Sequence, residues 1–254
     1  MASNELTAAL EAARAAAEVI LAYYQKNPNV RLKPDDSPVT EADVRAEEVI
    51  RTTLAKAFPT YGFYGEETGR RAMEAESIWL VDPIDGTKSF VREEPFFSTQ
   101  IALMRAGELV LGVSNAPAYG ELAWAEKGSG AFLNDQPIRV SNVSTLAQAS
   151  VSTGNVKSLT HAPYWERMGR LIQGVNRIRG YGDFVHYHLL ARGSLDVVIE
   201  TDINILDIAA LTVLVREAGG TFTDVGGAPV GLSTTSVLAT NGTLHESVLA
   251  VLTR

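Results

Sequence analysis

The stretch "VDPIDGTKSF", residues 81–90, sets Asp82 and Asp85 three positions apart at the mouth of a short apolar run. Pro83 disfavours the helical region for the residue before it, so Asp82 is expected to stay extended at a strand end. Gly86 allows a sharp turn. The two carboxylates can then converge on one small volume with the Ile84 carbonyl between them. Such hard oxygen ligands suit Mg2+. A helix starting at Thr87 would offer free N–H groups to a phosphate beside the metal. An Asp-Gly turn alone is a common feature, but "DPIDGT" after "WLV" specifies more than a turn needs.

Three further stretches carry acids that could join this pair. "GEE" at 65–67 offers Glu66 and Glu67, which alone read as an exposed acidic pair. "PVTEAD" at 38–43 gives Thr40 and Asp43 the spacing of a capping box. A carboxylate in that first helical turn could also orient a water. "NILDIAALTVLVREAGG" puts Asp207 at the start of an apolar helix, where an acid suits the helix dipole. Each stretch has a structural explanation by itself; their combination in one chain points to a metal site.

The elements that must position these acids follow from periodicity. Leu6, Leu10, Ala13, Ala17, Ile20, Leu21 and Tyr24 recur at helical spacing. "NPNVRLKPDDSP" breaks that pattern. A second helix is expected from about Thr40 through Val44, Ile50 and Leu54 toward Phe58. "SIWLVDP" reads as a buried strand. "STQIALMRAGELVLGVSNAP" reads as two strands joined at Ala106-Gly107, and "ELAWAEKGSGAFLNDQPIRVS" continues the meander with turns at "KGSG" and "NDQ". After about residue 145, short strands such as "LDVVIE" and "SVLAT" alternate with helices such as "DFVHYHLLARG" and "ILDIAALTVLVREAG". The class is α/β, with a mixed, largely antiparallel first half and a layered second half. No repeat or long linker divides the chain. It reads as one domain over residues 1–254, with an N-terminal α+β lobe of about 1–145 and a C-terminal α/β lobe of about 146–254.

Composition narrows the chemistry. With no cysteine, disulfides, thiolate zinc sites and a cysteine nucleophile are excluded. A net charge of −8 argues against nucleic acid or an anionic membrane as partner, and means that phosphate chemistry needs cations supplied locally. No apolar run reaches about 18 residues, so no membrane span is expected. The N-terminus reads as a helix, not a signal peptide, and a cytoplasmic location is expected. "GSGAF" and "GGTFTDVGG" lack dinucleotide-binding spacing, and there is no G-x-x-x-x-G-K-[ST] loop. His161, His186 and His188 lack zinc-protease spacing and are read as structural or surface residues, with a place near a substrate as the alternative for the last two.

In this order and spacing, "PVTEAD", "YGEET", "WLVDPIDGTKSF", "GELVLGVSNAP", "YGDFVHYHLLARGSLDVVIE" and "LDIAALTVLVREAGG" resemble the inositol monophosphatase family of Mg2+-dependent, lithium-sensitive phosphatases, over nearly the whole chain. The resemblance implies a five-layer αβαβα sandwich of the inositol monophosphatase and fructose-1,6-bisphosphatase type, working as a homodimer. It implies that Glu66, Asp82 and the Ile84 carbonyl bind one Mg2+, that Asp82, Asp85 and Asp207 bind a second, and that a weaker third ion sits near Glu66, with Mn2+ able to substitute. Gly86 and Thr87 N–H groups would hold phosphate oxygens. Thr87 and Asp43 would orient the water that attacks phosphorus directly, with Glu66 the third catalytic residue. Lys33 matches the family's lysine on the N-terminal loop. One departure is Leu206, where the family usually has Trp before the helix-start Asp.

The implied substrate is a small phosphorylated metabolite. Lys88-Ser89 after Thr87, and Asp183 in "YGDF", look most like the histidinol-phosphate phosphatase branch, which serves histidine biosynthesis. Glu200, seven residues before Asp207, and Asp183 would then meet the substrate amine. The bland readings are a strand-end acid for Glu200 and a helix N-cap for Asp183. Inositol 1-phosphate, 3'-phosphoadenosine 5'-phosphate and sugar bisphosphates are the alternative substrates. A catalytically inactive phospholigand-binding regulator is the alternative of a different class.

Overall fold

The computed structural model describes residues 2–26, 30–32, 38–161 and 164–253. Among them the chain forms eight α-helices: α1 (Asn4–Tyr23), α2 (Glu41–Ala57), α3 (Thr87–Val91), α4 (Val156–Leu159), α5 (Tyr164–Gly174), α6 (Asp183–Ala191), α7 (Ile205–Glu217) and α8 (His245–Thr253). None of the described helices is long and apolar enough to cross a membrane.

Apolar faces stack these helices into layers with two sheets. The larger sheet has eight strands, in the order Gln136–Ile138, Gly130–Leu133, Glu121–Glu126, Glu108–Ala116, Ser98–Arg105, Ser77–Asp85, Gly62–Gly65 and Gly69–Arg71. It is antiparallel except where Gly62–Gly65 runs parallel to Ser77–Asp85. The second sheet has five strands, ordered Arg177–Arg179, Ser150–Thr153, Val197–Thr201, Ser236–Thr240 and Thr221–Thr223. Helices α1 and α2 cover one face of the large sheet, and α7 packs on its other face. Helix α6 packs on α7 and on the Val197–Thr201 strand, so these two helices form the middle layer. Helices α5 and α8 close the outer face of the second sheet. This is the expected α/β sandwich, with five layers.

The strand meander and the turn at Ala106-Gly107 fall where the pattern put them: both turn residues have positive φ, 48° and 81°. Three details differ. The described part of "NPNVRLKPDDSP" includes Val30–Leu32, which pairs antiparallel with Pro38–Thr40 at and beyond its end. Leu21 and Val44, assigned to apolar faces by periodicity, are 44% and 49% exposed. The buried faces of α1 and α2 keep the expected Leu6, Ala13, Ile20, Ile50 and Leu54, and add the alanines Ala9, Ala12, Ala16, Ala42 and Ala46. Alanine side chains let the two helices and the sheet come close along the middle of these faces, which leaves Leu21 and Val44 outside the buried arc.

The middle layer is positioned by one glycine. Gly112, on the Glu108–Ala116 strand, touches α7 backbone to backbone: an added Cβ would lie 2.3 Å from the Ala210 carbonyl oxygen and 2.8 Å from its Cα. Neither atom can move without moving α7, whose first turn carries Asp207. Gly112→Ala is therefore expected to destabilise the fold by about 1–3 kcal/mol, the usual cost of overpacking. Urea denaturation measures this, and an unchanged midpoint would show that α7 is not seated on that strand.

Candidate active site

Alternation along a strand sends residues i and i+3 to opposite faces. Asp82 and Asp85 escape this because the strand is bulged between them. Asp82 faces Gln100 and Asp85 faces Ser98, so three steps on one strand match two on its partner. The extra residue restores both acids to the same side. The Thr99 hydroxyl pins the bulge by donating to the Pro83 carbonyl at 2.8 Å, and the Ile84 N–H donates to Asp82 Oδ1 at 2.9 Å. Gly86 then turns the chain with φ +88°; an added Cβ there would lie 2.6 Å from the Phe96 carbonyl oxygen. Helix α3 starts at the next residue, Thr87, as expected.

Two more acids arrive on helix starts, where they serve as caps at the same time. Thr40 and Asp43 form a full capping box on α2. Asp43 Oδ2 accepts the Thr40 N–H at 2.7 Å and its hydroxyl at 2.6 Å. Its other oxygen, Oδ1, lies 3.3 Å from the Thr87 hydroxyl, whose single proton can be donated either to it or to the Ile84 carbonyl at 3.0 Å. The cap and the link to Thr87 therefore coexist on one side chain. Asp207 repeats the arrangement on α7, with Oδ2 accepting the Asn204 N–H at 2.8 Å and Oδ1 accepting the Asn204 side-chain amide at 2.8 Å. Leu206 is buried and donates its N–H to Asn204 at 2.7 Å, so the residue that departs from the family pattern leaves the cap complete.

Asp82, Asp85 and Asp207 thus come together, each with a carboxylate oxygen within 4.8 Å of the others. Glu66 follows the Gly62–Gly65 strand, donates its N–H to the Val81 carbonyl at 3.1 Å, and shares a side-chain hydrogen bond with Asp82. The loop carrying it is held by Glu47, a fully buried acid that the sequence reading did not single out. Glu47 accepts the N–H groups of Glu67 and Thr68, both at 2.8 Å. Gly65 makes room for it, since an added Cβ would lie 2.5 Å from the Glu47 carboxyl carbon. Glu47 lies four residues after Asp43, between the buried Ala46 and Ile50. An acid on an apolar stripe was the available signal.

The donors fit a hard divalent cation. All are oxygens, and none of the ion pairs among the described residues involves Asp82, Asp85 or Asp207. Burial, then Glu66, Asp85 and the charge on Asp207, push the Asp82 carboxyl well above the ordinary range. Burial, then Asp183 and Asp207, do the same to Asp85. Asp207 is pushed up to about 7, chiefly by burial, against the pull of the Asn204 backbone hydrogen bond. Burial also raises Asp43, against the hydrogen bonds from Thr40. A cluster of like charge that resists ionisation is what a cation would relieve.

Asp183 and Glu200 lie beside this cluster. A cavity of about 50 Å3 is bounded by Asp85, Asp183, Tyr187, Glu200 and Asp207. That is room for a few waters or the cationic end of a ligand, not for a whole phosphate ester. Asp183 is not a side-chain cap: Gly182 holds the N-cap position, and Asp183 itself has φ +45°. This strained, left-handed backbone aims its carboxyl inward, where burial and then Glu200 push it up to about 6, opposed by His186 and Lys88. Glu200 is not a surface acid either, at 5% exposure. His186 and His188 are both buried. His186 meets Glu200, whereas His188 joins Glu121 at 2.8 Å and Ser114 at 2.9 Å, with Arg192 on the far side of Glu121. Lys33 lies outside the described residues. A larger cavity, about 510 Å3, lies against Arg31, Val39, Glu41, Arg45 and Glu48 on the outer side of α2; among the described residues its acids are Glu41, paired with Arg45, and Glu48.

Known proteins share both the layering and the chain length. The family model of the inositol monophosphatase family matches residues 1–254. The histidinol-phosphatase of Mycobacterium tuberculosis is 41% identical over 222 residues, 85% of either chain. An inositol-1-monophosphatase of Rhizobium meliloti is 37% identical over 233 residues, 90% of this chain and 88% of that one. Among solved structures, the suhB protein of Bartonella henselae superposes with a TM-score of 0.89 at 34% identity, covering 99% of each chain. The Thermotoga maritima IMPase gives a TM-score of 0.88 at 32% identity, covering 98% of this chain and 97% of that one. A sandwich fold that gathers buried carboxylates able to hold a divalent cation defines a phosphatase. The chain belongs to the inositol monophosphatase family.

The raised carboxyls give stability a sign with pH. Asp207 and Asp183 have folded values of about 7 and about 6 against an ordinary 3.8. The folded state therefore holds protons that the unfolded state has released, and the stability they contribute is lost as pH rises from about 4 through about 7. Thermal denaturation of chelated protein should show this loss, and added divalent cation should raise Tm more near pH 8 than near pH 5. A larger shift at the lower pH would contradict the cation assignment. Asp85 makes no side-chain hydrogen bond among the described residues, so Asp85→Asn removes charge without removing a cap. The chelated variant should melt at or above the wild-type temperature and lose most of its response to cation. A lower Tm in chelator would mean that Asp85 serves the fold instead.

Proposed function

We propose that the protein hydrolyses L-histidinol phosphate to histidinol and phosphate with Mg2+ as cofactor, by direct attack of water on phosphorus. The observation that carries this reading is the pairing of two sites. The cation cluster Asp82–Asp85–Asp207 adjoins a second acidic wall, Asp183 and Glu200, across one small cavity. A phosphate needs the first site. A substrate with a protonated amine beyond its phosphate ester gives a reason for the second. The 41% identity to a histidinol-phosphatase supports the same substrate.

Bound Mg2+ would supply positive charge to the phosphoryl oxygens and lower the pKa of a coordinated water. Asp82, Asp85 and Asp207 would hold one ion, and Glu66, Asp82 and the Ile84 carbonyl another, with a weaker third near Glu66; Mn2+ would serve in their place. The N–H groups of Gly86 and Thr87 would receive phosphate oxygens. A water donating to Thr87 Oγ, while Thr87 donates to Asp43, is oriented for attack and has an outlet for its proton. Burial raises the proton affinity of Asp43, which suits that role. Asp183 and the free oxygen of Glu200 would bind the amine. Family membership supports one phosphatase domain over residues 1–254, built of two lobes, acting as a lithium-sensitive homodimer in the cytoplasm.

Inositol 1-phosphate is the second reading, favoured by the 37% identity to an inositol-1-monophosphatase. Its hydroxyls would need acceptors at the same wall but no charge. The inactive-regulator reading has no feature in its favour, since every acid the reaction calls for is present. A charge-assisted contact of about 1.5–3 kcal/mol between Glu200 and the amine corresponds to roughly ten- to a hundred-fold in kcat/KM. Glu200→Gln should therefore cost histidinol phosphate about that much, and inositol 1-phosphate far less. The assay compares both esters, with fructose 1,6-bisphosphate and 3'-phosphoadenosine 5'-phosphate, for wild type and variant, with Mg2+ and after chelation. Better turnover of any other ester by wild type would overturn the substrate, and full turnover after exhaustive chelation would overturn the cofactor.

A further inference from the structure

The Glu200 carboxylate is held from three sides. Its Oε2 accepts the Tyr187 hydroxyl at 2.8 Å and lies 3.1 Å from His186 Nε2. Its Oε1 occupies the space beside Gly154, where an added Cβ would lie only 1.9 Å away. His186 and Tyr187 are fully buried on α6, and the Tyr187 ring is stacked on Phe222 with centroids 5.6 Å apart. The imidazole is itself oriented. Tyr181 donates its N–H to Ser152 Oγ at 3.2 Å, and Ser152 Oγ lies 3.3 Å from His186 Nδ1. With the Ser152 hydroxyl donating to Nδ1, the ring proton sits on Nε2 and donates to Glu200.

We infer that Gly154, His186 and Tyr187 are positioning residues that set substrate specificity through Glu200. Two donors occupy Oε2, and the missing side chain at Gly154 leaves Oε1 its place in a carboxylate that lines the cavity. Glycine is required at residue 154 for that space alone, because its φ is not in the left-handed region. No other atom comes as close to the added Cβ as the end of the Glu200 side chain. Gly154→Ala can therefore fold by pushing the carboxylate aside. The inference deepens the histidinol phosphate reading, since an amine is recognised by a fixed, negatively charged oxygen. It does not require that substrate: it applies to whichever ester depends on Glu200.

The test compares substrate profiles. Glu200→Gln, Tyr187→Phe, Gly154→Ala, His186→Leu and His186→Gln are assayed on histidinol phosphate, inositol 1-phosphate and p-nitrophenyl phosphate, separating kcat from KM. Tyr187→Phe and Gly154→Ala should each lose on the order of five-fold or more in kcat/KM on the ester that Glu200→Gln penalises most, mainly through KM, and rank the three esters as Glu200→Gln does. His186→Gln, which keeps an N–H donor, should recover part of the loss seen in His186→Leu. Tyr187→Phe combined with Glu200→Gln should lose no more than Glu200→Gln alone, because a residue acting through Glu200 has nothing left to position. Equal losses on all three esters, no loss, or additive losses in the double variant would each overturn the inference. So would a Glu200→Gln variant indistinguishable from wild type. If wild type prefers another ester to histidinol phosphate, the substrate reading falls. The positioning inference is then judged on that other ester.

Discussion

The repulsion among Asp82, Asp85 and Asp207, three carboxylates within 4.8 Å of one another, is the constraint on which the site is built. Taking such charges out of water costs several kcal/mol each, and their proximity adds to it. Packing must supply what the acids themselves oppose. The strand bulge at Pro83-Ile84 aligns two of them, and α7, seated against Gly112, delivers the third. Because Asp207 comes from an element far in sequence from the strand that carries Asp82 and Asp85, the cluster is complete only when the middle layer has docked on the large sheet.

The chain lowers the cost by putting acids where the backbone already wants an anion. Asp43 and Asp207 each sit at the third position of a helix behind an N-cap residue, Thr40 and Asn204. Helix N-termini favour negative charge, and each capping hydrogen bond satisfies an otherwise unpaired donor. The same arrangement fixes the side chain. Asp43 keeps Oδ1 toward Thr87 because Oδ2 is committed to Thr40. A buried acid that is also a cap cannot rotate away from its neighbours without giving up the cap, so stability of the helix start and geometry of the site are one property.

This double use explains what could be read from the sequence and what could not. Asp82, Asp85, Asp43 and Asp207 stand in local patterns with a meaning of their own, a Pro-Gly bracket or a cap spacing, so their neighbourhoods were legible. The layered α/β order followed from periodicity in the same way. Gly112, Gly154 and Glu47 have no local pattern. Their roles depend on Ala210, Glu200 and residues 67–68, each reached only by folding. Periodicity placed Leu6, Ala13, Ile20, Ile50 and Leu54 correctly but extended the stripe to Leu21 and Val44, which the close packing of the neighbouring alanines leaves outside. For Asp183 the sequence left two readings open, a substrate contact and a helix cap. An Asp before an apolar helix normally caps it, and only the backbone, with Gly182 taking the cap and Asp183 at φ +45°, turns its carboxyl toward the cavity.

Electrostatics also orders events at the site. A phosphate ester approaching Asp82, Asp85 and Asp207 meets carboxylates on one side and Asp183 with Glu200 on the other, in a chain whose net charge is −8. A dianion cannot settle there ahead of a divalent cation. Its affinity and that of the cation are therefore linked, each raising the other by the same factor. Glu200 and Asp183 share in that exchange, since Asp183 and Glu200 help to raise Asp85 and Glu200 helps to raise Asp207. The Glu200 carboxylate is held in place by Tyr187 and His186, which both meet its Oε2. Under the function proposed above, the site would be polarised along its length, with cations for the phosphate at one end and an anion for the rest of the substrate at the other. A ligand that carries both charges is oriented by its own dipole before any hydroxyl or ring is read.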